Sequence, residues 1–219
     1  VPETARQIKA HFPGTVIHSD CVQAFGKIPT DVAKLHVDLL SASGHKIHAP
    51  KGVGFLYKSK SLHIKPIIFG GGQEKELRSG TEAVPAILAL GAAVNELDTA
   101  RSLKAVGEIH EYAVRRLSEI DGIVFNSPLS GSLPYILNIS ALHYRSETLL
   151  HFLESRRIYV SSGSACSKGK GSHVLTEMGL SADRTDSALR LSFSRYTKTS
   201  DIDALCDALR DGLKTLRRK

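Results

Sequence analysis

Cysteine is scarce in this chain and follows no pattern: Cys21, Cys166 and Cys206 are the only three in 219 residues. An odd, unpatterned set excludes a disulfide framework and suits a reducing compartment, so a cytoplasmic location is expected. No CxxC or CxxxH spacing occurs, and no metal site is expected. No apolar run approaches bilayer-spanning length and no signal-peptide pattern opens the chain, so no membrane partner is expected. The formal charge of +7 permits an anionic partner, yet the cations are dispersed and only Arg217-Arg218-Lys219 forms a run. Aromatics do not interleave with them as a base-stacking platform requires, so no nucleic-acid partner is expected. At 42% hydrophobic and 23% charged, the composition is that of an ordinary soluble globular protein. The length allows one large or two small domains.

The pattern along the chain is mixed. Residues 3–12 read as the end of a helix closed by Pro13-Gly14, and the start at Val1, within that pattern, suggests a processed or truncated beginning. Strand patterns follow at 15–19, 37–41 and 53–57, separated by helical stretches, which favours an α/β layer. Gly70-Gly71-Gly72 reads as a loop. Helical periodicity runs from Pro85 to Ile120, too long for one helix, so a break and domain boundary are placed near Asp98-Thr99. Beyond Gly122 come strands at 123–126 and 134–140, a helix at 146–156, a strand at 157–161 and a Ser/Gly/Lys loop. A short helix to Met178, a strand at 189–193 and a final helix opened by a Ser200-x-x-Asp203 box complete the chain. That last helix carries Ile202, Leu205, Cys206, Leu209, Leu213 and Leu216 on one face.

Asp20, Lys46 and Cys166 each fall just after a strand pattern, where ligands collect in open α/β sheets. A lysine there is an amine able to bond a carbonyl cofactor. Read alone, each has a plainer account. Lys46 is an ordinary surface lysine, Asp20 a helix cap, Arg190 a structural ion-pair partner, and 161–171 a linker with an incidental thiol. Cys206 belongs to the core and Cys21 to packing.

The neighbours of these residues carry a resemblance. The segment Ser41-Ala42-Ser43-Gly44-His45-Lys46-Ile47-His48-Ala49-Pro50-Lys51-Gly52-Val53-Gly54 resembles the cofactor-lysine motif of class V, fold type I, pyridoxal-phosphate (PLP) enzymes. Asp20-Cys21-Val22-Gln23 resembles their Asp-x-x-Gln motif. Gly70-Gly71-Gly72-Gln73-Glu74 with Arg78-Ser79-Gly80-Thr81 resembles their glycine loop. Ser161-Ser162-Gly163-Ser164-Ala165-Cys166, followed by Ala188-Leu189-Arg190-Leu191-Ser192, is similar to the cysteine desulfurase branch, in its group I (NifS/IscS-like) form.

The resemblance implies an α/β fold: the C-terminal half of a fold type I large domain at 1–98, and a smaller α+β C-terminal domain at 99–219. It implies PLP as cofactor and L-cysteine as substrate, with release of L-alanine and a persulfide left on Cys166 for a sulfur-acceptor protein. Lys46 would hold the cofactor, Asp20 pair with its ring nitrogen and Gln23 donate to its ring oxygen. Ser43 and His45 would contact its phosphate, and Thr81 the phosphate in the neighbouring subunit of a homodimer. Arg190 would bind the substrate carboxylate. Elements that precede these motifs in the family, a phosphate-binding helix start and a ring-stacking histidine, have no place in this sequence. Alternatives are a selenocysteine lyase or another class V enzyme, or a non-catalytic remnant acting as a binding or dimerisation module.

Overall fold

The computed structural model describes residues 1–162 and 172–219. These form two compact units, Val1–Ser102 and Leu103–Lys219.

The first unit is built on a three-stranded sheet. β1 (His18–Asp20) runs parallel and β3 (Gly54–Lys58) antiparallel to the central β2 (Leu39–Ser43). Strand alternation divides β2 by face. Leu40 and Ala42 bury themselves with Cys21 and Val37, leaving Ser41 and Ser43 on the opposite face with Asp20, the register partner of Ser41. Helix α1 (Pro2–His11) is tied to the sheet because Lys9 Nζ donates to Asp38 Oδ2 at 2.7 Å. Ile17 N donates to the same oxygen at 2.8 Å. The Lys9 bond first, then the Ile17 amide, holds the Asp38 carboxyl below its ordinary pKa. A short helix, α2 (Val32–Leu35), is capped by Asp31, whose side chain accepts from Ala33 N at 3.0 Å. Helix α3 (Val84–Asn95) starts with Pro85 in its first turn, where a missing N–H costs nothing. The expected break follows it: Asp98 Oδ1 accepts from Arg101 N at 2.9 Å, so Asp98 caps α4 (Thr99–Ser118).

The second unit is an antiparallel sheet in the order β4 (Ile123–Phe125), β5 (Ile136–Ala141), β6 (Ala188–Ser192). One core joins it to α4, α5 (Ser146–Ser155) and α8 (Thr199–Thr215). α4 contributes Val106, His110, Ala113 and Leu117, alternating four and three apart as one helix face requires. α8 contributes Ile202, Leu205, Cys206 and Leu209. Leu117, Leu153 and Leu209 are fully enclosed, and each such leucine contributes roughly 1.5–3 kcal/mol. α6 (His173–Glu177) and α7 (Ala182–Asp186) lie between β5 and β6 in sequence. α7 is bound to the sheet through Arg184, which donates to Asn126 Oδ1 from Nε at 2.9 Å and to Phe125 O from Nη2 at 2.6 Å.

Two expectations need correction. Residues 157–161 do not form a strand: Arg157 takes φ 61°, and only Ser161 pairs, through a single bridge to Arg190. Nor does Ser200 begin a capping box. The helix starts two residues earlier, with Asp201 Oδ2 accepting from Lys198 N at 2.8 Å, which leaves Asp203 to accept from Tyr112 OH at 2.7 Å and to pair with Arg116.

Candidate functional site

In the first unit the carboxyl ends of β1 and β2 lie side by side, since Asp20 pairs in register with Ser41. Asp20 is exposed, and its Oδ1 accepts from Val22 N at 2.8 Å. β2 then passes into a 3-10 turn, Gly44–Ile47, that carries Lys46. The turn is pinned from within: Gly44 N donates to Val53 O at 2.9 Å and Ala49 N to Gly44 O at 3.0 Å. Glycine suits position 44, because a Cβ would be crowded at 3.1 Å from Ala49 Cβ, Val53 Cγ1 and Val53 O. Ile47 anchors the turn in a small core with Ala49 and Leu90, leaving Lys46 half-buried.

Ser43 Oγ and His45 Nδ1 are 2.7 Å apart. Both line an open cavity of about 390 Å³ with Lys51, Gly52, Val53 and Gly54. A hydroxyl, an imidazole and an ammonium around one cavity suit an anion. Lys51 lacked a role in the sequence reading, although its place in the Pro50-Lys51-Gly52 turn was a signal for it. Gln23 follows Asp20 in a series of tight turns, and its Oε1 accepts from Lys27 Nζ at 2.7 Å. The Lys27 ammonium has a lowered pKa, through burial first and the neighbouring Lys46 charge second. The Gln23/Lys27 spacing of four residues was the only sequence hint of this contact.

Thr81 lies on an exposed stretch after the glycine loop, which is closed by Gly80 N donating to Gln73 Oε1 at 3.0 Å. Among the described residues no hydrogen bond joins Thr81 to Asp20, Ser43, His45 or Lys46. The structure therefore sets Asp20 at the end of β1 beside Ser41 of β2, with Ser43, His45 and Lys46 following on from β2 and Gln23 following Asp20, while Thr81 shares no hydrogen bond with them among the described residues.

In the second unit Arg190 sits in the middle of β6. Its backbone exchanges two hydrogen bonds with Ser161: Arg190 N donates to Ser161 O at 2.7 Å, and Ser161 N donates to Arg190 O at 3.2 Å. Its Nη2 donates to Ser161 Oγ at 3.2 Å. Arg190 Nε is buried and has no partner among the described residues. A buried donor left without an acceptor costs about 1–3 kcal/mol. Cys166 follows Ser161 by five residues in sequence and lies outside the described residues. Cys21 and Cys206 are buried, each in the core of its own unit.

Comparison with known proteins bears on the family and the fold. The aminotransferase class-V family model matches residues 1–205. A cysteine desulfurase IscS of Methanosarcina thermophila is 36% identical over 222 residues, covering 99% of this chain and 54% of that protein. The solved structure of a NifS-like protein from Rickettsia africae superposes with a TM-score of 0.86 at 31% identity, over 98% of this chain and 57% of that one. A structure of SspA in complex with cysteine superposes with a TM-score of 0.70 at 30% identity, over 90% and 55%. The chain thus spans a little over half the length of these relatives, and it has the fold of the C-terminal half of a PLP-dependent fold type I large domain followed by a smaller α+β domain. With the family model matching nearly its whole length, and with these relatives beside it, the chain belongs to the class V aminotransferases, a family of PLP-dependent enzymes.

Proposed function

We propose that this chain provides the cofactor lysine, the sulfur-accepting cysteine and the carboxylate-binding arginine of a cysteine desulfurase acting on L-cysteine. The observation that carries the reading is the placement of Asp20, Ser43, His45 and Lys46 at, or directly after, the carboxyl ends of neighbouring parallel strands. PLP requires an amine for its carbonyl, an acceptor for its ring N–H and donors for its phosphate. Lys46, the exposed Asp20 carboxylate and the Ser43/His45/Lys51 cavity are that set, so the residues present fit the group. In this reading residues 1–98 belong to the cofactor domain and 99–219 to the small domain.

PLP, when bound, supplies an electron sink for charge developing at the substrate Cα. Lys46 holds the cofactor and moves the Cα proton. Asp20, an acceptor only, keeps the proton on the ring nitrogen. Gln23 donates to the ring oxygen. Ser43 and His45 bind the phosphate, and Thr81 serves the phosphate of the neighbouring subunit. Arg190 takes the substrate carboxylate, an acceptor for the buried Nε that has none among the described residues. Cys166, as thiolate, attacks the substrate sulfur. An S–S bond forms, the C–S bond breaks, and its electron pair goes to the carbon, which is then protonated. L-cysteine and the Cys166 thiol thereby become L-alanine and a Cys166 persulfide, whose sulfur passes to an acceptor protein.

A homodimer is part of the reading. Its support is the set of exposed apolar side chains on the first unit, among them Ile67 at 91%, Phe69 at 79% and Leu88 of α3. A cytoplasmic location accords with the free, buried Cys21 and Cys206. No described helix is long and apolar enough to cross a membrane.

The test is incubation of the enzyme restored to its relatives' full length, with this chain as part of it, with PLP and L-cysteine, alanine being assayed and persulfide mapped by mass spectrometry. Persulfide on Cys166 with matching alanine, lost in Cys166→Ser while cofactor loading persists, is the expected result. Selective turnover of L-selenocysteine, or persulfide on Cys21 or Cys206, would reject it.

A further inference from the structure

Residues 21–28 wind through successive tight turns, with Phe25 N donating to Cys21 O at 2.8 Å and Ile28 N to Ala24 O at 3.0 Å. They return Lys27 toward Gln23, so that Lys27 Nζ donates to Gln23 Oε1 at 2.7 Å. We infer that Lys27 is a positioning residue that fixes which way the Gln23 amide faces, leaving its NH2 group as the end that donates to the cofactor ring oxygen. The inference rests on the reading proposed above and adds a residue that reading does not use.

The argument for orientation is chemical. An amide can turn either its oxygen or its NH2 group to a neighbour, and a water or hydroxyl accepts both. An ammonium has three donors and no acceptor, so only the amide oxygen can face it. With Oε1 held by Lys27, the other end of Gln23 is a donor, as a ring oxygen needs. A hydrogen bond between a charged donor and a carbonyl is also stronger than a neutral one, so the choice is firmly made.

Placement supports this. Gly26 takes φ +74°, and a Cβ there would stand 2.7 Å from Cγ2 of Ile47, the residue after Lys46. The turns that carry Lys27 are therefore packed against the turn that carries Lys46. The two ammonium groups are near enough for the Lys46 charge to depress the Lys27 pKa, second to burial. Two cations brought together suit an anionic oxygen of a ligand at this point.

The chain contains three glutamines, Gln7, Gln23 and Gln73. Labelling with side-chain 15N glutamine thus gives three NH2 pairs, separable by NMR without cofactor. Lys27→Met removes the donor at similar length, and Lys27→Arg keeps a donor-only cation. Lys27→Met should move the Gln23 pair toward unstructured values and leave those of Gln7 and Gln73, whereas Lys27→Arg should hold all three. A second readout is the PLP concentration needed to load Lys46, measured by borohydride reduction and peptide mapping. Lys27→Met should raise it about three- to tenfold, the effect of one lost hydrogen bond. In a Gln23→Met background the same change should matter less than about twofold, because Lys27 acts through Gln23. An unmoved Gln23 pair, or additive effects of the two substitutions on a chain that does load at Lys46, would overturn the inference alone. Failure of the unsubstituted chain to load at Lys46 would overturn the cofactor reading, and the inference with it.

Discussion

Gly26→Ala would place a methyl group where the backbone and its neighbours leave no room. Gly26 sits at φ +74°, and its Cβ would stand 2.7 Å from Ile47 Cγ2 and 3.2 Å from both Leu97 methyls. Ile47 is 3% exposed and β-branched, so it cannot swing aside. A left-handed alanine costs about 1–2 kcal/mol. Overpacking of one methyl in a fitted core adds about 1–3 kcal/mol. Together these destabilise the first unit by about 2–5 kcal/mol, and each 1.4 kcal/mol is roughly tenfold in an equilibrium. The two described thiols make a local assay, since Cys21 is buried in the first unit and Cys206 in the second. Alkylation resolved by mass spectrometry should speed up roughly 30-fold or more at Cys21 and little at Cys206. Gly14→Ala, whose Cβ meets nothing within 4 Å, is the control and should change neither rate. Equal acceleration at both thiols, or none at Cys21, would refute the claim that Gly26 seats the Lys46 turn.

Arg190→Lys keeps the charge but loses the planar fork, so half-saturation by L-cysteine should rise about tenfold or more while PLP loading stays within about twofold. Steady-state kinetics beside a cofactor titration decides it, and weaker loading with unchanged cysteine dependence would make Arg190 structural. Buried His110 lies edge-on to Phe193 at 6.2 Å, with its Nε2 unpartnered among the described residues. Burial lowers its pKa, against a smaller opposing pull from Glu111, so the folded state binds its proton less readily than the unfolded chain does. Its contribution to stability is whole above about pH 6.5 and is lost as pH falls toward the depressed folded value, with a slope of at most about 1.4 kcal/mol per pH unit. Urea unfolding at pH 7.5 and 5.5 should show a smaller acid loss in His110→Leu than in the unsubstituted chain; an equal loss would clear His110 of the effect.

Local patterns in the sequence carried much of the fold. The α3–α4 break could be placed because Asp98 is a residue that caps helices, and the α8 face because Ile202, Leu205, Cys206 and Leu209 repeat at helical spacing. Short elements were harder. α2 and α7 have four and five residues, too few for a periodic signal. Residues 157–161 look like a strand, but strand formation depends on a partner, and β6 offers Ser161 only one bridge. The Ser200 box failed for a similar reason: Asp203 has a better partnership with Tyr112 and Arg116, 87 to 91 residues away in sequence. At the site, motif order singled out Asp20, Ser43, His45 and Lys46 as candidates, and these lie at the ends of β1 and β2 and in the turn that follows β2. Lys27 and Lys51 went unassigned because their roles depend on what lies beside them in space.

Reaction of the chain with PLP, followed by borohydride reduction and peptide mapping, tests the central claim most directly. The account predicts a fixed cofactor mass on Lys46, reached at lower PLP concentration than on any other lysine and lost in Lys46→Ala. Preferential attachment at Lys27 or Lys51, or equal attachment at exposed lysines throughout the chain, would contradict it.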